Sequence, residues 1–497
     1  MDKKKSLLNV SISIASHLLL LIAAFLIRRL LIQYIGNDVN GLNSLYTSII
    51  GMLALAELGV GSAISYFMYG PIVEGDKKKT AALYRLYQRL YQIIGGVIFG
   101  AGLMVMPFLP HLISDYDSLN VNVYLNFGLV LVSVALTYLY GAKTSLINAY
   151  KDNYITTGIL TVCRLIQYGL QAIVLITFRS FPLYLGCHIV ETLLIWAGTE
   201  IIVRKRHGDI ISCKETVEHS VRNEIIRNVK AMFMHKLGSV LVNSIDNVII
   251  SAFIGVTILG KYSNYVLILR VGSGVISLFF SPLTSVVGHL CVGGNKAEIK
   301  KSYDKFYSLN YALGVVFFLG YFAVVDDAIT LCFGPGLEMS RTISFVVSLN
   351  GFINFMRMAT LLFRNASGAF YYDRWKPVAE VAMNLILSLI FVNLFPDEYK
   401  VIGVIVATIF VVLLISNFIE PYVLYRRVFG MPVKHFWIKN YACIALFTAG
   451  LFALTVLEQK DAGLTLNGLM SVGVSIVVLG VAFVFDRIAA KVHTEKI

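Results

Sequence analysis

Apolar residues run along this chain in stretches far longer than one face of a soluble helix requires. A bilayer core takes about 20 helical residues to cross, and backbone groups in lipid must pair within their own segment. Each long apolar run is therefore read as a membrane-spanning helix. Such runs occupy residues 7–35, 40–70, 83–113, 121–147, 154–178, 182–203, 231–254, 262–292, 306–325, 343–370, 377–395, 401–425, 437–457 and 464–485. The expectation is an all-α polytopic membrane protein of about fourteen transmembrane helices. The start Met1-Asp-Lys-Lys-Lys5 imitates a signal peptide, but the run that follows is too long and shows no small-residue cleavage site. It reads as a retained first span.

Loop charge is an independent check, because spans set by hydropathy alone need not alternate in flanking charge. With both termini in the cytoplasm, about 30 of the 42 Lys and Arg fall inside, about 5 outside and about 7 within spans. The cytoplasmic groups include Lys77, Lys78 and Lys79, Arg204 to Arg206, Lys296, Lys300 and Lys301, Arg374 and Lys376, and Arg426 and Arg427. One long polar break, residues 204–230, carries Val217, Val221, Ile225 and Val229 at every fourth position, the pattern of an amphipathic helix at the membrane surface.

An offset of 219 residues superposes Ile35-Gly36 on Ile254-Gly255, Gly41 on Gly260, Ser44 on Ser263, Tyr46 on Tyr265, and Gly75, Lys77 and Tyr84 on Gly294, Lys296 and Tyr303. This internal repeat divides the chain into an N-terminal six-helix lobe (1–203), the linker (204–230), a C-terminal six-helix lobe (231–427) and two additional helices (428–497). An even number of spans between equivalents makes the lobes parallel repeats, an arrangement in which transporters place a substrate cavity between halves.

Composition agrees. The 497 residues are 57% hydrophobic and 14% charged, against about 25% charged for a soluble domain, and the mean hydropathy is +0.74. The net charge of +13 is spread over short loops and forms no basic patch, so no nucleic-acid partner is expected. The six cysteines show no metal or disulfide spacing; no metal and no cofactor are expected.

Ionisable groups inside spans are costly and so mark candidate sites. Arg28 and Arg29 lie in the outer third of the first span, Arg164 and Arg357 near the middle of theirs, Arg270 in an outer part and Arg364 below Arg357. Together they sample most depths of the bilayer, as a track for an anionic group requires, with snorkelling to the interface as the plain alternative. Lys236 beside His235 is read as snorkelling. Glu57, Glu191, Asp246 and Glu380 either pair with those arginines or, left unpaired, bind a coupling proton or sodium ion; Glu57 and Asp246 are the coupling candidates. Turn chemistry accounts for Asn37, Asp38, Gly41, Gly255 and Gly260, and Asp326 with Asp327 reads as a solvated loop.

Several segments resemble a known group: Phe25-Leu-Ile-Arg-Arg29, Tyr34-Ile-Gly36, Gly41-Leu-Asn-Ser-Leu-Tyr46, Leu58-Gly-Val-Gly-Ser62, Glu74-Gly-Asp-Lys77, Asn243-Ser-Ile-Asp246-Asn247, Ile254-Gly255 and Gly260-Lys-Tyr-Ser-Asn-Tyr265. The chain resembles, over nearly its whole length, the bacterial polysaccharide (O-antigen or capsule repeat-unit) flippases of the multidrug/oligosaccharidyl-lipid/polysaccharide exporter superfamily. The resemblance implies a transporter of the cytoplasmic membrane, not an enzyme. It would move undecaprenyl-diphosphate-linked oligosaccharide between leaflets by alternating access, with membrane lipids, a polysaccharide polymerase and assembly proteins as partners. It carries the arginine of the first span onto Arg28 or Arg29. The cationic spans are compatible, since arginine pairs with diphosphate in bidentate fashion.

Alternatives are a lipid II or teichoic-acid precursor flippase and a multidrug exporter, against which the excess of basic over acidic groups in spans speaks. A membrane polysaccharide polymerase or glycosyltransferase requires a sizeable external loop, and every external loop expected here is short.

Overall fold

The computed structural model describes the chain apart from residues 1–2, 55–59, 214, 216, 219–220, 226–240, 242–243, 281–286, 292–293, 458–462 and 495–497. Among the described residues there is no strand, and eleven helices are long and apolar enough to cross a membrane. All eleven fall on runs read from the sequence. The other three runs, 40–70, 231–254 and 262–292, each contain residues outside the described set.

By contact the chain divides into two units, Met1–Gly260 and Lys261–Ile497. The first holds α1 (Lys3–Tyr34), α2 (Asn37–Leu53), α3 (Val60–Glu74), α4 (Lys77–Val105), α5 (Val123–Thr137), α6 (Gly141–Ala149), α7 (Asn153–Thr177), α8 (Phe181–Ser212), α9 (Ser244–Phe253) and the start of α10 (Val256–Phe280). Here α1 packs along α7, and both α5 and α7 pack on α8. The second holds the rest of α10, then α11 (Lys296–Phe333), α12 (Arg341–Ala366), α13 (Lys376–Leu394), α14 (Lys400–Val411), α15 (Asn417–Val423), α16 (Lys434–Leu457) and α17 (Gly463–Thr494), with α11 against α12 and α17.

Two of the spanning helices, α7 and α13, carry their polar side inward. On α7 the buried positions include Thr156, Thr161, Gln167 and Gln171, while Leu160, Val162, Ile166, Ile173 and Ile176 are exposed. On α13, Glu380, Asn384 and Ser388 recur every fourth residue on the buried face, while Leu385, Ile386, Leu389 and Ile390 face out. In water this would be inverted; in lipid the outer face costs nothing and polar groups find partners only inside.

The 219-residue repeat has matched local structures. Gly36 at φ 139° and Gly255 at φ 125° each end a helix and start the next, and their amides reach back to Leu31 and Ile250, themselves 219 residues apart. Asp76 caps α4 by accepting from the Lys79 amide, a bond that holds its carboxyl below the usual carboxylate range. Its equivalent Asn295 caps α11 with a reciprocal bond from Glu298. Tyr46 and Tyr265 are both fully buried, as are Tyr84 and Tyr303 to within 2%. Val217, Val221 and Ile225 of the linker segment pack on a cluster of Tyr84, Tyr87, Tyr91, Tyr138, Val203 and Ile210 in the first unit, so these apolar positions meet protein; Val229 lies outside the described residues.

Gly41 and Gly260 are helical, and the reading of them as turn residues is corrected. A Cβ on Gly41 would stand 1.8 Å from the Val256 carbonyl oxygen, and one on Gly260 would stand 2.3 Å from that of Asn37. Since Asn37 and Val256 are also repeat equivalents, the contact is reciprocal, as in an isologous interface. Two side-chain amides fasten it: Asn37 Nδ2 donates to Thr257 O at 2.8 Å and Asn40 Nδ2 to Gly260 O at 3.1 Å. Gly41→Ala is expected to lower unfolding free energy by about 1–3 kcal/mol through overpacking, seen as a reduced Tm in detergent, whereas Gly96→Ala, whose Cβ meets nothing within 4 Å, should leave Tm within error.

Candidate functional site

Helical spacing builds a polar site in the first unit. Arg164, Gln167 and Gln171 follow one another at three and four residues on α7, and Tyr184, His188 and Glu191 do the same on α8, so each set shares one face. Arg164 Nε lies 2.6 Å from Glu191 Oε1, with the Arg164 side chain 41% exposed and that of Glu191 only 5%. The Gln167 amide stands 2.8 Å from His188 Nδ1; that of Gln171 stands 3.3 Å from Nε2 and donates to Tyr184 O at 3.2 Å. Both glutamines are fully buried.

α1 adds Arg28, half-buried, whose Nε donates to Asn40 Oδ1 at 2.9 Å. The Tyr184 phenol lies within electrostatic range of both Arg28 and Arg164, and Tyr168 is beside Arg164. Arg28 and Arg164 are thus presented by α1 and α7, helices that pack along one another, and guanidinium groups bind anions through charge-assisted hydrogen bonds. Arg29 is exposed, about 100° around the helix from its neighbour. The glutamines and His188 were not singled out from the sequence, although the spacing of polar residues within an apolar run was the available signal.

In the second unit the cations are neutralised internally. Arg357 grips Glu420 with two bonds, Nη2 to Oε1 at 2.7 Å and Nε to Oε2 at 3.1 Å. Lys376 is hydrogen-bonded to the same carboxylate and lies 3.2 Å from Glu380, which also accepts from Ser416. Arg364 pairs with Asp373 and approaches Glu420 to 3.7 Å. The three cations are balanced by three carboxylates, and the Glu420 side chain is 1% exposed. Lys376, read from the sequence as a loop residue, is buried, and Glu420 was not singled out at all.

Glu420 is presented by an interrupted helix. Turns of π-helix occupy Val412–Ser416 and Leu424–Phe429 on either side of it, and Pro421 follows it directly. Proline removes the N–H that would satisfy the Asn417 carbonyl. Trp437 Nε1 on α16 donates to that oxygen at 3.1 Å, and Tyr441 donates to Leu413 O at 2.7 Å.

Of the other positions, Arg270 is exposed on α10 and has no side-chain partner among the described residues. Asp246 is buried on α9, while Glu57 and Lys236 lie outside the described residues. Asp326 is no solvated loop residue: it sits within α11 and accepts from Tyr265 at 2.5 Å, Arg341 at 2.7 Å and Ser344 at 2.8 Å. A helix two turns longer than the hydropathy run carried it into the fold. Lys143 is buried against Glu200 at 2.6 Å. Among the described residues no cluster is arranged to hold a metal, and all six cysteines are free.

No protein-family model matches the chain, and neither does any curated protein sequence. Solved structures do. The inward closed conformation of the lipid II flippase MurJ superposes with a TM-score of 0.63 at 14% identity, covering 97% of this chain and 100% of that one. An inward-facing multidrug resistance MATE family transporter of the MOP superfamily gives 0.61 at 14% identity over 80% and 94%. A point mutant of the Vibrio cholerae MATE transporter VcmN gives 0.56 at 13% over 86% and 100%. The chain is a multi-pass membrane protein with the fold of MOP-superfamily transporters.

Removing one partner from a buried ion network leaves an uncompensated charge. Glu420→Gln is therefore expected to destabilise the protein by about 3–5 kcal/mol, read as a lowered Tm of the detergent-purified chain, and adding Lys376→Met should recover part of the loss.

Proposed function

We propose that this protein is a flippase that moves undecaprenyl-diphosphate-linked oligosaccharide repeat units from the inner to the outer leaflet of the bacterial cytoplasmic membrane by alternating access, serving export of a cell-surface polysaccharide. What supports the reading is the placement of two arginines, Arg28 and Arg164, within apolar helices that pack along one another. A diphosphate is a dense anion that guanidinium groups bind in bidentate fashion, while the polyprenyl tail remains in lipid.

In this reading Arg28 and Arg164, with Arg29 at the margin, contact the diphosphate, and Arg270 is the exposed cation that the second unit offers to the same class of anion. Arg357 and Arg364 are held by Glu420 and Asp373 and fix the second unit. The topology is about fourteen spans with both termini in the cytoplasm, as loop charge supports, and the repeat divides the chain at residues 203, 230 and 427. A polysaccharide polymerase and assembly proteins act downstream. A lipid II flippase is the second reading, favoured by a likeness to MurJ that spans all of that chain.

In a strain lacking the gene, lipid-linked units should accumulate on the cytoplasmic face, and the sugar they carry separates the two readings. Single units appearing outside would instead indicate a polymerase. Arg28→Gln and Arg164→Gln, inserted at normal levels, should each reduce export about tenfold or more, the loss of one charged hydrogen bond; full complementation by both would end the anion reading. Glu57 and Asp246 are the coupling candidates for a proton or sodium ion. Export by Asp246→Asn should lose its dependence on one of these ions, and an unchanged response to pH and to sodium removes that residue.

A further inference from the structure

His188 is placed in a way that the anion site alone does not require. A neutral imidazole offers one acceptor nitrogen and one donor, yet the Gln167 Nε2 faces Nδ1 at 2.8 Å and the Gln171 Nε2 faces Nε2 at 3.3 Å. The amide oxygens of both glutamines are buried without a hydrogen-bond partner, and so is Glu191 Oε1. Two donors thus converge on a ring that can satisfy one of them, with two unbonded amide oxygens alongside.

A half-turn of the Gln167 amide resolves the neutral state. Nδ1–H then donates to Gln167 Oε1, Nε2 accepts from Gln171, and Gln171 keeps its bond to Tyr184 O. A proton added at Nε2 ejects the Gln171 donor and makes the ring a cation, whose nearest carboxylate oxygen is Glu191 Oε2, 3.9 Å from Nδ1. That carboxylate is already shared, because its other oxygen stands 2.6 Å from Arg164 Nε in a contact not aligned as a hydrogen bond. One carboxylate between two cations neutralises one unit of charge. The His188 side chain is 30% exposed and that of Glu191 only 5%.

The groups facing His188 are few. They are Glu191 and Tyr184 on its own helix, Arg164 and Tyr168 on α7, and Arg28 on α1 by way of Tyr184. α5 carries no charged residue. α6 brings Lys143 to Glu200, about 18 Å farther along α8, and Tyr84 of α4 lies in the field of that same carboxylate.

We propose that His188 binds a proton during transport and, through the Glu191 carboxylate it shares with Arg164, sets when Arg164 is free to hold a phosphate-class anion. The proposal rests on Arg164 as an anion contact. With the proton on, Glu191 serves the imidazolium and Arg164 carries surplus charge for the anion; with the proton off, Arg164 returns to Glu191 and the anion is released. Linkage makes the effect mutual, so anion binding also favours the proton.

The test uses the full chain in neutral-lipid nanodiscs with undecaprenyl diphosphate as probe, its Kd measured at pH 6 and pH 8. Wild type should bind about tenfold tighter at pH 6 than at pH 8 after division by the same ratio for His188→Gln, which cancels titration of the probe. Glu191→Gln, which leaves both cations without their shared carboxylate, should also lose the pH ratio and bind tightly at both values. Insertion level and gel-filtration profile establish that each variant is folded. If binding depends on Arg164 but His188→Gln or Glu191→Gln keeps the wild-type ratio, the proton site is overturned and the anion reading stands. If Arg164→Gln binds as well as wild type, or wild type binds no probe, the anion reading fails and the coupling fails with it.

Discussion

A polar group inside a bilayer has no water to fall back on, and most of this architecture follows from that one constraint. The backbone answers it by remaining helical, and where Pro421 breaks the ladder an indole N–H from a neighbouring helix takes up the stranded Asn417 oxygen. Side chains answer it by turning inward, which is why Gln167 and Gln171 on α7 and Glu380 and Asn384 on α13 are buried while the aliphatic residues between them are exposed. Charges answer it by pairing, and the two units do so differently. In the second, three cations and three carboxylates close on one another around Glu420. In the first, Arg164 is half-buried and its contact with Glu191 is not aligned as a hydrogen bond.

The sequence made the spans legible because hydropathy over about 20 residues reports directly on lipid burial. All eleven long apolar helices coincide with runs read from the chain, and the repeat marked by Gly36 and Gly255 reappears as paired left-handed glycines and paired helix caps. What remained hidden was partnership. Arg357 and Arg364 stand out in an apolar run, but Glu420 and Asp373 lie 63 and 9 residues away along the chain, and nothing in spacing alone joins the first pair. Lys376 looked like a loop residue because hydropathy ends there, although the fold draws it beneath Glu420. Asp326 was misread for the same reason: α11 continues past the apolar run and carries the carboxylate into a nest of donors.

The likeness to MOP-superfamily structures at 13–14% identity shows how little of such a fold is written in particular residues. The contacts that fix it here are local and few, such as a glycine where two backbones touch, a cap residue and an amide across a helix crossing. Residues that would select a cargo are free to change around them.

Asn40 belongs to two of these structures at once. Its amide nitrogen holds the Gly260 carbonyl at the crossing of the repeat copies, and its amide oxygen holds the Arg28 guanidinium. The crossing and the cation therefore share a single rigid planar group, with the joint at one end and the charge at the other. Any displacement of α2 against residues 256–260 would therefore also displace the acceptor that orients Arg28, so the backbone joint and the direction of the charge are set by one side chain.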